Sequence, residues 1–335
     1  MNKKIKRESG TKRGIRMFPA LFVFSFMTLC VPLGWAAEEP YPNRPVTIVV
    51  PFTAGGMLDM QSRVIGDKLS EILGQPFLRV HKPGGGGALG ASFVARSKPD
   101  GYTLLPGTSS SLVLTPILKK LDYKLEDFIP IAIYSRVTVF LAVKSDARWK
   151  TLADFVEDAK KHPGAFKVSS FGKYTHSEFV LEGFSKWAGV KLIHVPYKSN
   201  AEAMTALLGG HVVGAFCTTS TGQIEAGTIR VLAVSDYERS DLFPDVKTFK
   251  ELGYPVAFPA WCSLSTPKNT PPRIVDILSN AMKELFRRYP KEVKEELRRL
   301  EVSTSYFNTQ ESIQKFKEDY QVLYKAAKEM GAAAE

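Results

Sequence analysis

The sequence predicts an α/β protein of two lobes with a ligand cleft between them. Three observations carry that reading. Short β-branched runs alternate with amphipathic helical patterns along the chain, which is the signature of βα units on parallel sheets. Roughly 300 residues follow an N-terminal targeting segment, which is more than one core comfortably serves. Strand-like crossings near Val137–Val143 and Phe258–Ser265 join the outer parts of the chain to its middle, so the first lobe is discontinuous and the cleft lies where strand ends and helix N-termini converge.

The elements follow in order. Lys3, Lys4, Lys6, Arg7, Lys12, Arg13 and Arg16 form a basic region, Met17 to Val31 is uncharged and apolar, and Gly34 and Ala36 place small residues at a cleavage site. This is the pattern of a secretory signal over residues 1–36, with a retained anchor as the alternative. Val46–Val50 is then a strand, and Met60, Val64, Ile65, Leu69, Ile72 and Leu73 mark a helix face closed by Gly74. Phe77–Val80 is a strand, glycines open a helix over Ala88–Ser97, and Tyr102–Leu105 is a strand leading to Ser109, Ser110 and Ser111 at a helix start.

In the middle of the chain Ile129–Ile133 and Val137–Val143 are strand-like, and Thr151 with Asp154 caps a helix. Strand Phe166–Ser170, loop Phe171–Thr175 and helix His176–Ala188 make one βα unit. Strand Lys191–Val195, turn Pro196–Asn200, helix Ala201–Leu208 and strand Val212–Phe216 make the next. Strand Val231–Val234 precedes a short helix expected at Val246–Leu252, and Ile313, Phe316, Tyr320, Leu323 and Ala327 give the C-terminal segment a helical period.

Composition narrows the function classes. The formal charge is +11. Residues 1–36 hold seven basic residues and one acid, so removing them lowers the charge by six to +5. No arginine cluster interleaved with aromatics is present, so a nucleic-acid partner is not expected. No His/Cys cluster has metal-ligand spacing, and after cleavage only Cys217 and Cys262 remain, too few for a disulfide framework. Nucleophile elbow and spaced carboxylate pair are also missing, so the chain is rich in hydrogen-bond donors and poor in catalytic groups.

The donors gather at strand ends. In "PFTAGGMLDM" the glycines Gly55 and Gly56 let backbone amides approach a ligand, and the helix starting near Asp59 points its amides the same way. Gly56 is a candidate for positive φ. No Gly-Lys-Ser/Thr follows, which rules out a P-loop, and Asp59 in the first turn disfavours a dianion while suiting a helix cap or an ordered water. The alternative is a plain strand–helix turn. A second run, "PGGGGALGAS", matches G-x-G-x-x-G at Gly85, Gly87 and Gly90, but Leu104 and Leu105 stand where a dinucleotide fold needs an acid. The loop "SSFGKYTHSEF" offers Ser169, Ser170, Lys173, Tyr174, Thr175 and His176, with Lys173 as a cation for a carboxylate or simply a solvated loop residue. Ser109–Ser111 form a fourth donor cluster, or N-caps.

"YPNRPVTIVVPFTAGGMLD", "LGQPFLRVHKPGGGGALGA", "KPDGYTLL", "LADFVEDAKKHPG", "HVPYKSNAEAMTALLGGHV" and "IRVLAVSD" occur in this order. Together they resemble the tripartite tricarboxylate transporter substrate-binding family, the TctC or Bug type of periplasmic receptor, over nearly all of the chain after residue 36. The resemblance implies a type II periplasmic-binding-protein-like α/β fold, with lobe 1 over 37–139 and 260–335 and lobe 2 over 140–259. It implies a monomeric, non-catalytic receptor without cofactor, which closes on a small organic carboxylate and hands it to one large and one small membrane subunit. The candidate ligand-binding set joins the first loop that the resemblance implies, Phe52, Thr53, Ala54, Gly55, Gly56 and Asp59, to Ser109 and Ser110 of the serine cluster. Ser170, Lys173, Tyr174, Thr175, His176, Tyr197 and Thr218 complete the set from the opposing lobe.

Three positions depart from the family pattern: His81, the Lys173-Tyr174-Thr175 loop and Ser199. The second would add a cation and an aromatic ring to the pocket. Two functional alternatives stand beside the receptor reading. One is a Rossmann-type nicotinamide-dependent dehydrogenase, disfavoured by the signal and the missing acid; the other is a co-receptor that presents its ligand to a sensor kinase.

Overall fold

The computed structural model describes residues 40–218, 221–258 and 260–334. The secretory-signal expectation for residues 1–36 lies outside the described residues. The first part of the fold runs β1 (Val46–Val50), α1 (Met57–Leu73), β2 (Phe77–His81), α2 (Ala88–Ala95), β3 (Thr103–Thr108) and a π-type turn Ser110–Leu114. It continues through α3 (Thr115–Leu118) to β4 (Phe128–Arg136). The middle part is β5 (Val139–Lys144), α4 (Leu152–Lys161), β6 (Phe166–Ser170), α5 (His176–Ala188), β7 (Leu192–Pro196), α6 (Asn200–Leu208), β8 (Gly214–Cys217), α7 (Thr221–Glu225) and β9 (Ile229–Ser235). The last part is β10 (Trp261–Pro267), α8 (Pro272–Arg288), α9 (Pro290–Arg299), β11 (Ser303–Phe307) and α10 (Thr309–Met330).

These strands form two sheets, one six-stranded in the order β11-β4-β10-β3-β1-β2 and one five-stranded in the order β7-β6-β8-β5-β9. The chain leaves the first sheet after Arg136, enters the second at Val139, and returns between Ser235 and Trp261. Strand β1 is buried at Val46, Ile48, Val49 and Val50, with only Thr47 partly exposed, as expected of a strand covered on both faces. Helix α1 buries Leu58, Ile65 and Leu69, and Gly74 ends it at φ 71 with its N–H donated to Ser70 O. A capping box joins Thr151 and Asp154 at the start of α4, and another joins Asn308 and Glu311 at the start of α10.

Two differences from the sequence expectations have physical causes. The sheets are mixed, because β10 runs antiparallel to β3 and β4, and β5 runs antiparallel to β8 and β9. Strands that cross from one sheet to the other enter in the opposite direction to strands built by βα crossovers. The helix expected at Val246–Leu252 is a single turn rather than a helix. Glu251 accepts the Thr248 amide while Thr248 Oγ1 accepts the Glu251 amide, and Gly253 at φ 89 ends the turn at once.

Trp261, at the return crossing, stacks on Phe316 of α10 at 4.4 Å between ring centroids, and its indole N–H donates to Asp319 at 2.7 Å. The C-terminal helix is thereby pinned to the crossing strand. Cys217 and Cys262 are free and buried, on strands of different sheets. Burial pushes each thiol up to about 12, so almost no thiolate exists at neutral pH. A chain beginning at Ala37 is therefore expected to be inert to an aromatic disulfide reagent when native and to titrate both thiols in denaturant.

Candidate ligand cleft

A cavity of about 560 Å³ lies where loops of both sheets meet. The first sheet contributes the loop after β1, Phe52 to Gly56, and Thr108 to Ser110 after β3. The second contributes Phe171 and His176 after β6, Lys198 to Glu202 after β7, and Thr218 after β8. Val137, Val139, Ala260 and Trp261 close it where the chain crosses. The cavity thus has apolar walls and polar loop ends, the usual character of a small-molecule site.

The first loop is shaped from behind by Asp59. Its Oδ2 accepts the Gly55 amide at 2.8 Å, while Oδ1 accepts Arg79 Nη1 at 3.0 Å and meets His81 Nε2 at 2.8 Å. Burial alone would raise the carboxyl pKa, but the Gly55 amide, His81 and Arg79 outweigh it and hold the value below the ordinary one. Asp59 is only 6% exposed and does not line the cavity. Its charge is spent on Arg79 and the loop, which removes the electrostatic objection to an anion in front of it. The positive φ belongs to Gly55, at +76, whereas Gly56 sits at φ −75; the expectation for Gly56 is corrected accordingly. Nothing lies within 4 Å of a Cβ built on Gly55, so a side chain there would stand in open space beside the loop.

Three helix N-termini face the cavity. Gly56 caps α1 and Thr175 precedes α5, neither with a side-chain cap bond. Ser199 caps α6 by accepting the Glu202 amide at 3.2 Å. First-turn amides and the partial positive end of each helix favour an anion. Lys198 adds a cation at the rim, and the Glu202 carboxylate is tied back to the Lys198 amide at 3.1 Å. Asn200 clamps α6 to the end of β8, donating to Thr218 Oγ1 at 2.6 Å and accepting the Thr218 amide at 3.2 Å.

Of the candidate set, Phe52, Thr53, Ala54, Gly55, Gly56, Ser109, Ser110, His176 and Thr218 line the cavity. Asp59, Ser170, Lys173, Tyr174, Thr175 and Tyr197 do not. Ser170 is fully buried and bonds His194 Nε2 at 2.6 Å, and Thr175 Oγ1 donates to Gly172 O at 2.8 Å. Tyr197 offers its amide to Ser170 O at 2.9 Å, which fixes the neighbouring strand end. Tyr174 adopts φ 61 and faces a separate cavity with Leu118, Glu178 and Met330. Lys173 is exposed beside it, because the left-handed turn at Tyr174 points this stretch away from the cleft. The cation of the second sheet is Lys198, in a turn that the sequence marked only as a connection; Ser199 followed three residues later by Glu202 was the available signal of a helix start.

The second glycine run has a packing role. A Cβ on Gly87 would meet Ser111 Cβ at 2.8 Å and the Phe52 ring at 3.1 Å, and one on Gly90 would meet Pro51 at 2.7 Å. These glycines let α2 press against the two loops of the cleft. Among the described residues no cluster of His, Cys, Asp or Glu could hold a metal ion, and no helix is long and apolar enough to cross a membrane.

Two sheets, two chain crossings and a donor-lined cavity at the junction define a solute-binding protein. Residues 61–330 match the family described as the tripartite tricarboxylate transporter family receptor, TctC, and the chain belongs to that family of substrate-binding receptors. It is 35% identical to Protein BugT of Bordetella pertussis, over 74% of this chain and 78% of that one. Among solved structures, an R. palustris protein with adipate superposes with a TM-score of 0.79 at 29% identity, covering 88% of this chain and 99% of the other. MatC from Rhodopseudomonas palustris with bound malate gives 0.76 at 26% identity, covering 85% and 99%.

Proposed function

We propose that the cleft captures a small organic acid as its anion, with the carboxylate against the amides of the first loop and the N-terminus of α1. The observation that carries this is the convergence of three helix N-termini on one cavity, where carboxylate recognition needs no buried counter-charge. Similarity to proteins solved with adipate and malate supports the same class of ligand. Lobe 1 is then 37–139 with 260–335 and lobe 2 is 140–259, closing over the ligand about the crossings. The receptor is exported to the periplasm after cleavage near Ala37, works as a monomer without catalysis, and delivers the acid to one large and one small membrane subunit. A thermal-shift screen of mono-, di- and tricarboxylates, followed by calorimetry, tests the reading. A melting shift with nicotinamide cofactor and with none of the acids would sink it.

Lys198 gives that reading a sharper consequence. An exposed rim cation is screened by water and contributes modestly, so Lys198→Met is expected to weaken a dicarboxylate by about twofold to fivefold. A monocarboxylate of the same chain should change less. Lys173→Met, outside the cleft, should alter neither, and calorimetry on the two variants separates them.

A further inference from the structure

The charge around the cavity leaves one seat for a carboxylate. Among the described residues that line it, the charged side chains are Lys198 and Glu202, both exposed at the rim. Their formal charges cancel. The three helix ends are unequal as well. Helix α5 carries Glu178 in its first turn and α6 carries Glu202, and an acid there offsets the partial positive end of its helix. The first amide of α5 is donated to Ser110 Oγ at 3.1 Å, and Ser199 takes the Glu202 amide at 3.2 Å. At α1 the first-turn acid is Asp59, whose charge is met by Arg79 at 3.0 Å. The α1 end is thus the most open to an anion, and a second carboxylate placed deeper would find no cation.

The wall where the chain crosses between the sheets presents hydrocarbon. It consists of Val137, Val139, Ala260 and Trp261, and its polar atoms are engaged within the protein. Trp261 gives its indole N–H to Asp319 at 2.7 Å and one ring face to Phe316, 4.4 Å between centroids. The ring therefore keeps no polar atom for a ligand. The Trp261 backbone amide goes to Ser109 Oγ at 3.3 Å, and the Ala260 carbonyl accepts the Val137 amide at 2.8 Å. Phe52 borders the same cavity from the loop after β1 and Phe171 from the loop after β6. A cavity of about 560 Å³ has room for an apolar body beside the carboxylate.

We propose that the ligand is a monocarboxylate with an apolar body, its carboxylate at the first loop and the start of α1 and its hydrocarbon against the crossing wall. This rests on the cleft being a carboxylate site. Removal of the body from water supplies much of the affinity, at about fourfold for each methylene buried. Hydroxyl groups or further carboxylates on the body would meet carbon where they need partners, and would lose the water they held. The second carboxylate of a longer diacid is left at the rim beside Lys198, where water screens it.

The test is calorimetry near neutral pH on the chain from Ala37. Straight-chain monocarboxylates from acetate to hexanoate are expected to gain about threefold to fourfold in affinity per methylene. The heat-capacity change should become more negative along the series. Benzoate and hexanoate should each bind at least about tenfold more tightly than malate and citrate. Val137→Thr puts a hydroxyl on the wall, and should weaken hexanoate by about fivefold while changing acetate by less than about twofold. The wild-type series decides the matter even where that variant folds poorly. A flat series from acetate to hexanoate overturns the inference and leaves the carboxylate reading in place, and so does tighter binding of malate or citrate than of hexanoate and benzoate. Hexanamide binding as tightly as hexanoate would overturn the carboxylate reading itself. Absence of binding by every acid would overturn both.

Discussion

Asp59→Ala is expected to lower stability by about 2–3 kcal/mol and to weaken ligand binding at the same time. Removing one member of a buried charge pair costs about 3–5 kcal/mol when the partner stays buried. Arg79 and His81 are about a third exposed, at 29% and 30%, so water recovers part of that loss. The Gly55 amide loses its acceptor as well, and the first loop loses its shape. Chemical denaturation measures the first effect and calorimetry with a bound acid the second. An alanine variant as stable as wild type would show that Asp59 does not organise the loop.

The same residue makes a pH prediction of definite sign. The folded-state pKa of Asp59 lies below its unfolded value, so the stabilisation is fully present above about pH 5 and disappears as the pH falls through the folded value. The stability difference between wild type and Asp59→Asn should therefore be constant near neutrality and should shrink below about pH 4. A difference that grows on acidification would contradict the hydrogen-bonded, ionised state described above.

Gly55→Val is expected to abolish most ligand affinity, by at least about tenfold. At φ +76 an L-residue is disfavoured by about 1–2 kcal/mol, and a β-branched one more strongly. The chain would relieve that strain by turning the Gly55–Gly56 peptide, which disturbs the Gly55 N–H bond to Asp59 and the Gly56 N–H bond to Thr53 O, and the loop backbone that faces the cleft would shift with them. Gly55→Ala should fall between, since the space around the Cβ is open and only the dihedral cost applies. Binding of the valine variant at wild-type affinity, measured by calorimetry with the acid found in the screen, would rule out a backbone-amide site in this loop.

The sequence by itself determined the βα order, the positions of most strands, and the first loop with its glycines. These are local properties. Hydrophobic period, Gly74 after α1 and the Thr151–Asp154 box act within a few residues, so they are written in the chain where they operate. It also carried the family, through motifs spread over most of its length. Only the tertiary structure decided which polar groups share the cleft. Lys173 and Lys198 look alike as loop lysines at strand ends, and the left-handed Tyr174 turns the first away while the Ser199 cap holds the second at the rim. Asp59 was legible as a first-turn acid, but its role depends on Arg79 and His81, twenty and twenty-two residues on, brought alongside by parallel pairing of β2 with β1. The meeting of Ser110 with His176 is more distant still, at 66 residues. Contacts at such separations are set by how two sheets pack, and no short-range pattern in the chain encodes that packing.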